Sequence, residues 1–432
     1  MEKKYTYTWL ALAVIFLGIG GAFALLVGLS RTPFGYKYLP ADFLYQGIVG
    51  HVILAIVLWL LSFTVVLWSR YFKGPQLKIS YLFSLFGALF IIVSVFTGGG
   101  KAVPNNYIPT IDDPVFFVGI GLFFIGIAIN AFGYLKDALK SLRSSDPLRA
   151  TLAVSVVLAV IMLISLIVSL LMHRAEAAPL LFFERLFWIP GHIQQVLNGA
   201  LLIAVWYALR KALGLEIEAP AGMGFFNGML VAGAVLLFAI PFFLDPVERT
   251  SKIISELVYA VGLGVPIFAH AVKILRGLRK RSGGGAVYLS LVFSMGIYFL
   301  GIAIAYSGLG DDLRVPAHYH GAVTGLTLAM MGLTYNMLKT KINAGSLIKK
   351  LAGLQPALYG TGMILFILGL MVSGLLGAPR KTYGVEFARD PLVLSALTVM
   401  GVGTLLAVLG GVVFVFYSSV LLIRRRDGAS CG

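Results

Sequence analysis

The sequence predicts an all-α membrane protein with twelve transmembrane helices. Of its 432 residues, 59% are hydrophobic and only 12% are charged, and the mean hydropathy is +0.93. Soluble domains are about a quarter charged, so this composition suits lipid rather than water. Within a bilayer only helices and closed barrels satisfy the backbone, and long unbroken apolar runs favour helices.

Twelve apolar stretches, each long enough to cross a bilayer as a helix, follow one another along the chain. We expect these spans at residues 8–30, 44–70, 78–98, 114–135, 149–172, 182–210, 222–244, 252–276, 286–308, 315–339, 352–376 and 391–423. Since no soluble domain or long linker separates them, residues 1–432 are predicted to form a single twelve-helix membrane domain.

The basic residues predict the orientation of these spans. The net charge of +16 comes from 34 Lys and Arg against 18 Asp and Glu. Most of the basic residues fall in alternate connections, among them Lys3, Lys4, Lys73, Lys140, Arg276, Arg279, Lys339, Lys350 and Arg424. By the positive-inside rule both termini therefore lie in the cytoplasm. Because the charge sits in short loops between apolar runs, nucleic acid is not expected as a partner.

Four of the six histidines are predicted to lie at a similar depth in the membrane. His51, His192, His318 and His320 belong to the second, sixth and tenth spans, which all begin on the outer side. At about 1.5 Å per residue, each lies within the outer half of the bilayer. Ionisable residues inside membrane helices are rare and usually functional.

The segment Ala317-His318-Tyr319-His320 predicts two planar cofactors. Residues i and i+2 of a helix diverge by about 200°, so one metal ion does not easily take both imidazoles, whereas two cofactors on opposite sides of the helix can. His51 can then supply a second axial ligand to one of them. Neutral imidazole is a common axial ligand of haem iron. Since Cys431 is the only cysteine and no C-x-x-C-H motif is present, covalent haem c is not expected.

This pattern resembles subunit I of the haem–copper oxidase superfamily, which includes oxygen and nitric oxide reductases. The likeness in spans, in cytoplasmic termini and in histidines on helices two, six and ten covers nearly the whole chain. It implies that His51 and His320 are axial ligands of a low-spin haem and that His318 holds a high-spin haem. His192, in Trp188-Ile189-Pro190-Gly191-His192, matches the W-x-x-G-H segment whose histidine binds a non-haem copper or iron. His318 and His192 are thus the implied catalytic residues.

Two further segments resemble the family. Gly377-Ala378-Pro379-Arg380-Lys381-Thr382-Tyr383 is similar to G-x-P-R-R-Y, with Thr382 inserted. The likeness implies that Arg380 and Lys381 hold haem propionates, and an ordinary basic loop is the alternative. His270, four residues after Pro266, occupies the position of a proton-channel lysine of some oxidases. This implies a proton path through His270, with a capping or interfacial role as the alternative.

The sequence departs from the family at the non-haem metal. The family places two adjacent histidines near the outer end of helix seven, where this chain has Ala239-Ile240-Pro241-Phe242-Phe243-Leu244-Asp245. A tyrosine or glutamate four residues after the helix-six histidine is also missing, since Val196 stands there. A complete copper or iron site is therefore not expected. Asp245 or Glu248 can serve as an alternative iron ligand, because carboxylates favour iron over copper, or can simply end helix seven.

The function implied by the resemblance is that of a haem-containing oxidoreductase subunit in a respiratory complex, like cytochrome oxidase or nitric oxide reductase. It would carry one low-spin and one high-spin haem, expected to be of b type. An alternative is a dihaem subunit that moves electrons between a redox partner and quinone without reducing a gas. A third is a haem-free transporter that uses the histidines as proton relays. The expected electron donor is a cytochrome or copper-protein subunit or quinol, within a hetero-oligomeric complex of a prokaryotic cytoplasmic membrane.

Overall fold

The computed structural model of the protein describes residues 5–74, 77–173, 178–276, 278, 285–308, 310–338 and 346–430. Lys3, Lys4, Arg279 and Lys339, which contributed to the predicted orientation, lie outside these residues, as does Cys431. The cytoplasmic placement of both termini stays a prediction.

Within the described residues, twelve long helices follow one another, one for each predicted span. They are α1 (Thr6–Leu29), α2 (Ala41–Val52, Ile53–Leu58 and Trp59–Tyr71), α3 (Lys78–Thr97), α4 (Pro114–Ser141), α5 (Pro147–Met172), α6 (Pro179–Ala212), α7 (Met223–Ala239, then Ile240–Phe242), α8 (Arg249–Val258, Tyr259–Gly264 and Val265–Leu275), α9 (Ala286–Ala305), α10 (Arg314–Leu338), α11 (Ser346–Leu375) and α12 (Pro391–Ser430). A 3₁₀ turn, Tyr36–Tyr38, precedes α2. Strands β1 (Lys101–Val103) and β2 (Thr110–Asp112) pair antiparallel between α3 and α4, with Ala102 opposite Ile111.

Eleven of these described helices are long and apolar enough to cross a membrane. The remaining one, α10, carries His318, Tyr319 and His320 near its start and buries most of its later residues. The predicted all-α membrane fold is therefore confirmed.

The chain packs as two compact units. Unit 1 comprises Met1–Leu12 and Leu60–Arg281, and therefore holds α3 to α8 with the first part of α1 and the last part of α2. Unit 2 comprises Ala13–Trp59 and Ser282–Gly432, and holds α9 to α12 with the other parts of α1 and α2. The single membrane domain over residues 1–432 stays a prediction.

Local sequence signals explain several helix boundaries. Asp113 and Asp146 cap α4 and α5, where each side chain accepts a hydrogen bond from a backbone N–H of the first turn. Both are followed by a proline at the first helical position, where the missing N–H costs no hydrogen bond. Inside α8, Pro266 follows a π-helical segment, Tyr259–Gly264. Proline removes a backbone donor and crowds the preceding turn, so a local widening before it is expected.

Two glycines bring α9 and α10 of unit 2 into backbone contact. A Cβ atom added at Gly321 would lie 2.4 Å from the Cα of Gly301, and one added at Gly301 would lie 2.7 Å from the Cα of Gly321. Small residues allow this close approach of membrane helices. The contact also places the carbonyl of Gly301 3.0 Å from Nδ1 of His318, so the crossing positions a candidate site residue.

We predict that Gly321→Ala destabilises the protein by about 1–3 kcal/mol, the usual cost of overpacking. The added methyl group must push α9 and α10 apart. The control is Gly296→Ala on α9, because nothing lies within 4 Å of a Cβ there and alanine is the better helix former. Thermal unfolding in detergent measures the effect. A Gly321→Ala protein with the melting temperature of the wild type would contradict the close crossing.

Candidate functional site

His51 of α2 and His320 of α10 face each other within unit 2. Their ring centroids are 6.1 Å apart and the ring planes differ by only 7°. Phe366 of α11 packs edge-on against His320, with ring centroids 4.7 Å apart. The structure thus brings together two residues that are 269 positions apart in the chain.

This spacing fits two axial ligands of one iron. A metal–imidazole bond is about 2.0–2.1 Å long, so two imidazoles on opposite sides of one ion have ring centres roughly 6 Å apart. Nearly parallel ring planes are compatible with a common axis through the iron. The residues present therefore fit a haem with two histidine ligands.

The four candidate ligands share one hydrogen-bonding pattern. In each, Nδ1 lies within hydrogen-bonding distance of a backbone carbonyl: His51 with Gly20 at 3.1 Å, His192 with Trp188 at 2.7 Å, His318 with Gly301 at 3.0 Å and His320 with Pro316 at 2.7 Å. A ligating histidine usually donates its other ring N–H in this way, which fixes the tautomer and the ring orientation. In each ring this leaves Nε2 as the nitrogen that could bind a metal.

His318 and His320 point to different neighbours, as the i, i+2 spacing requires. His318 contacts α9 through the carbonyl of Gly301, whereas His320 contacts Phe366 of α11 and His51 of α2. Two separate cofactors, one on each side of α10, are therefore compatible with this geometry.

His192 lies in unit 1 among aromatic rings. The ring centroids of Trp188, Tyr107 and Tyr259 lie 4.0, 5.1 and 5.5 Å from its own. The hydroxyl of Tyr259 donates to the carbonyl of His192 over 3.1 Å. No second imidazole joins this group in the part of the chain that the structure describes. The residues around His192 therefore do not fit the copper that the family likeness implies.

The β1–β2 hairpin positions Tyr107 and explains why a glycine precedes His192. Asn105 in the connecting loop accepts hydrogen bonds from the N–H groups of Tyr107 and Ile108, both over 3.0 Å. This turn presses Tyr107 against α6, where a Cβ at position 191 would lie 2.9 Å from its ring. Gly191 therefore makes room for Tyr107. Tyr107 and Tyr259 could not be recognised from the sequence, because no spacing pattern links a hairpin loop or α8 to His192.

Asp245 is engaged by Arg185 rather than open to a metal ion. Arg185 Nε donates to Asp245 Oδ1 over 3.2 Å, and Nη2 donates to Oδ2 over 2.5 Å. These hydrogen bonds hold the pKa of the Asp245 carboxyl below its usual value. Glu248 is exposed. Among the described residues no three His, Cys, Asp or Glu side chains are grouped to hold a metal ion, and Asp245 lies in the loop after α7, where its Oδ1 also accepts a hydrogen bond from the N–H of Val247 over 3.1 Å.

The loop with Arg380 and Lys381 is anchored to unit 2 on the side where α1 ends and α10 begins. Ala378 accepts a backbone hydrogen bond from Leu313 over 3.1 Å. Arg380 forms an ion pair with Asp311, whose side chain is 82% exposed. The Lys381 carbonyl accepts a hydrogen bond from Tyr45 over 3.2 Å, and its φ of 57° is unusual for a residue other than glycine. The structure holds these two residues in a defined loop, but the partner of Arg380 is a carboxylate of the chain itself.

His270 is fully buried in unit 1. Its Nδ1 lies 2.9 Å from the hydroxyl of Tyr207, while its Nε2 is buried without a hydrogen-bond partner. The end of α8 is capped instead by Arg210, whose Nη1 lies within 2.5–2.9 Å of the carbonyls of Lys273, Ile274 and Arg276. The structure therefore gives the capping of α8 to Arg210, while the proton path and the interfacial role of His270 stay predictions.

Comparison with known proteins agrees with this fold. Residues 4–413 match the family model of cytochrome c and quinol oxidase polypeptide I. The chain belongs to this family. The resemblance to haem–copper oxidase subunit I is thereby confirmed, and membership implies haem, a membrane location and redox partners within a larger complex.

Proteins similar to this chain include two that match it in sequence and one solved structure that matches it in fold. An uncharacterized protein of Aquifex aeolicus is 34% identical over 331 residues, which cover 77% of this chain and 84% of that protein. An uncharacterized protein of Rickettsia prowazekii is 26% identical, with 94% of both chains covered. Among solved structures, a haem–copper terminal oxidase dimer studied by cryo-EM superposes with a TM-score of 0.74 over 97% of this chain and 84% of that chain, at 18% identity. The last likeness shows the shared fold alone.

Proposed function

We propose that the chain is a haem-carrying membrane subunit of a respiratory redox complex, with a low-spin haem between His51 and His320. The observation that carries this proposal is the facing pair of imidazoles, 6.1 Å apart with nearly parallel planes. Haem supplies one-electron chemistry when bound. The histidines would hold it and, through the hydrogen bonds of Nδ1 to Gly20 and Pro316, keep both rings in a ligating orientation.

His318 is proposed to hold a second, high-spin haem on the opposite side of α10. Its Nδ1 contact with Gly301 leaves Nε2 as the ligand atom. Both haems are proposed to be of b type. Arg380 and Lys381 are proposed to bind propionates, because carboxylates that are partly removed from water need cationic partners. His318 and, on the family likeness, His192 are the proposed catalytic residues for reduction of oxygen or nitric oxide.

His270 is proposed to lie on a proton path. One nitrogen of this buried imidazole lies next to a tyrosine hydroxyl, and the other has no hydrogen-bond partner. Such a ring can accept a proton at one nitrogen and release a proton from the other. Tyr207 would then be its first neighbour on this path.

A second candidate function is electron transfer between a redox partner and quinone without gas reduction. The observation that favours it is the aromatic surrounding of His192 together with the Arg185–Asp245 ion pair. Within the described residues, neither group supplies a further ligand for a non-haem metal. For both candidates the proposed electron donor is a cytochrome or copper-protein subunit or quinol, in a hetero-oligomeric complex of a prokaryotic cytoplasmic membrane with both termini cytoplasmic.

We predict that His51→Ala and His320→Ala each abolish the low-spin haem signal, because either substitution removes an axial ligand. The matched control is His173→Ala, since His173 lies at the end of α5 and is not one of the candidate ligands. Optical and electron paramagnetic resonance spectra of the purified proteins make the measurement. A full low-spin signal in either variant would disprove the ligand assignment.

The two candidate functions differ in metal content and turnover. If gas reduction is correct, the purified complex consumes oxygen or nitric oxide, and His192→Ala lowers this rate at unchanged haem content. If electron transfer is correct, the preparation contains haem iron without copper or further iron, and it reduces neither gas. Elemental analysis combined with oxygen and nitric oxide electrodes separates the two. A copper-containing protein with turnover unaffected by His192→Ala would contradict the role given to that residue.

A further inference from the structure

Arg31 is a buried cation whose hydrogen bonds are incomplete. It follows the end of α1, and only 9% of its surface is exposed. Its Nη2 donates to the carbonyl of Pro379 over 2.7 Å, whereas its Nε is buried with no partner. A buried charge that lacks an opposite charge is strongly unfavourable. We propose that Arg31 binds a carboxylate of the low-spin haem, a propionate, and this assignment rests on the haem site proposed above.

Three described acidic side chains on this side of unit 2 have other partners, and a fourth, Glu386, is exposed. Asp311 pairs with Arg380. Asp312 holds Arg314 through both carboxylate oxygens, with Nη2 of Arg314 at 2.7 Å from Oδ2. Asp390 accepts a hydrogen bond from the first turn of α12. Burial lowers the pKa of Arg31 to about 10, so the guanidinium is charged at neutral pH, and a bound carboxylate would supply its counter-charge.

The position of Arg31 suits a propionate of a haem held by His51. On the same helix, Gly20 accepts the Nδ1 hydrogen bond of His51. Arg31 lies eleven positions after Gly20, which is about 16 Å at the rise of a helix. A porphyrin edge with its propionate and an extended arginine side chain together span such a distance. Through Pro379, Arg31 also touches the loop that carries Arg380 and Lys381.

Of the two arginines, Arg31 is expected to bind a propionate more strongly than Arg380. Arg380 is already neutralised by Asp311, and an ion pair with such an exposed carboxylate contributes little. Arg31 is buried, and its planar fork of N–H donors matches the two oxygens of a carboxylate. A buried cation beside the haem stabilises the reduced form, because reduction lowers the positive charge of the iron.

Redox titration of the haem-loaded full chain tests this proposal. Arg31→Gln is expected to shift the reduction equilibrium of the low-spin haem about tenfold toward the ferric form, which is about 59 mV for one electron. Loss of haem to an acceptor such as apomyoglobin is expected to become several-fold faster. The matched control is Arg389→Gln, which removes the same charge from an exposed position of the connection that carries Arg380 and Lys381, where solvent and salt screen it.

The outcomes separate this inference from the proposed function. A wild-type protein without haem defeats both. A wild-type protein with a low-spin haem, together with an Arg31→Gln protein of unchanged potential and haem retention, defeats the Arg31 assignment alone. If Arg31→Gln does not fold, Arg31→Lys takes its place, because it keeps the charge and loses the fork. It is expected to lose haem faster at a nearly unchanged potential, and haem retention equal to the wild type would overturn the assignment.

Discussion

The orientation of two of the four candidate histidine rings depends on backbone carbonyls that close helix crossings bring within reach. His51 uses Gly20 of α1 and His318 uses Gly301 of α9, and at both places the helices approach so closely that an added Cβ would meet the next backbone. Lipid provides no hydrophobic force between helices, so packing of small residues sets such contacts. The same contacts that hold unit 2 together therefore aim the imidazoles that we propose as haem ligands.

The candidate histidines have different surroundings in the two units. In unit 2, His51 and His320 face each other across a distance that suits a metal ion. In unit 1, Trp188, Tyr107 and Tyr259 surround His192, and Asp245, the nearest substitute ligand suggested by the sequence, is held by Arg185. A pair of imidazoles spaced for a haem, together with a His192 enclosed by aromatic rings, favours a subunit that is specialised for electron transfer. Gas reduction stays a candidate because the family likeness spans nearly the whole chain.

Much of the fold was predictable because membrane spans follow from apolar length alone. All twelve expected spans contain a helix, and the i, i+2 spacing of His318 and His320 correctly anticipated their different neighbours. The residues around His192 were not predictable, because the β1–β2 hairpin and the π-helical segment of α8 supply them from distant positions. Arg31 was also overlooked. If α1 ends on the outer side, as the basic residues predict, Arg31 is as unexpected there under the positive-inside rule as Arg380 is.

The central claim is that His51 and His320 bind one iron between them. A haem inventory of the purified protein, combined with electron paramagnetic resonance of its oxidised form, tests this most directly. The account predicts a Soret band and a low-spin ferric signal typical of two imidazole ligands. A colourless protein, prepared under conditions that retain bound cofactors, would contradict it.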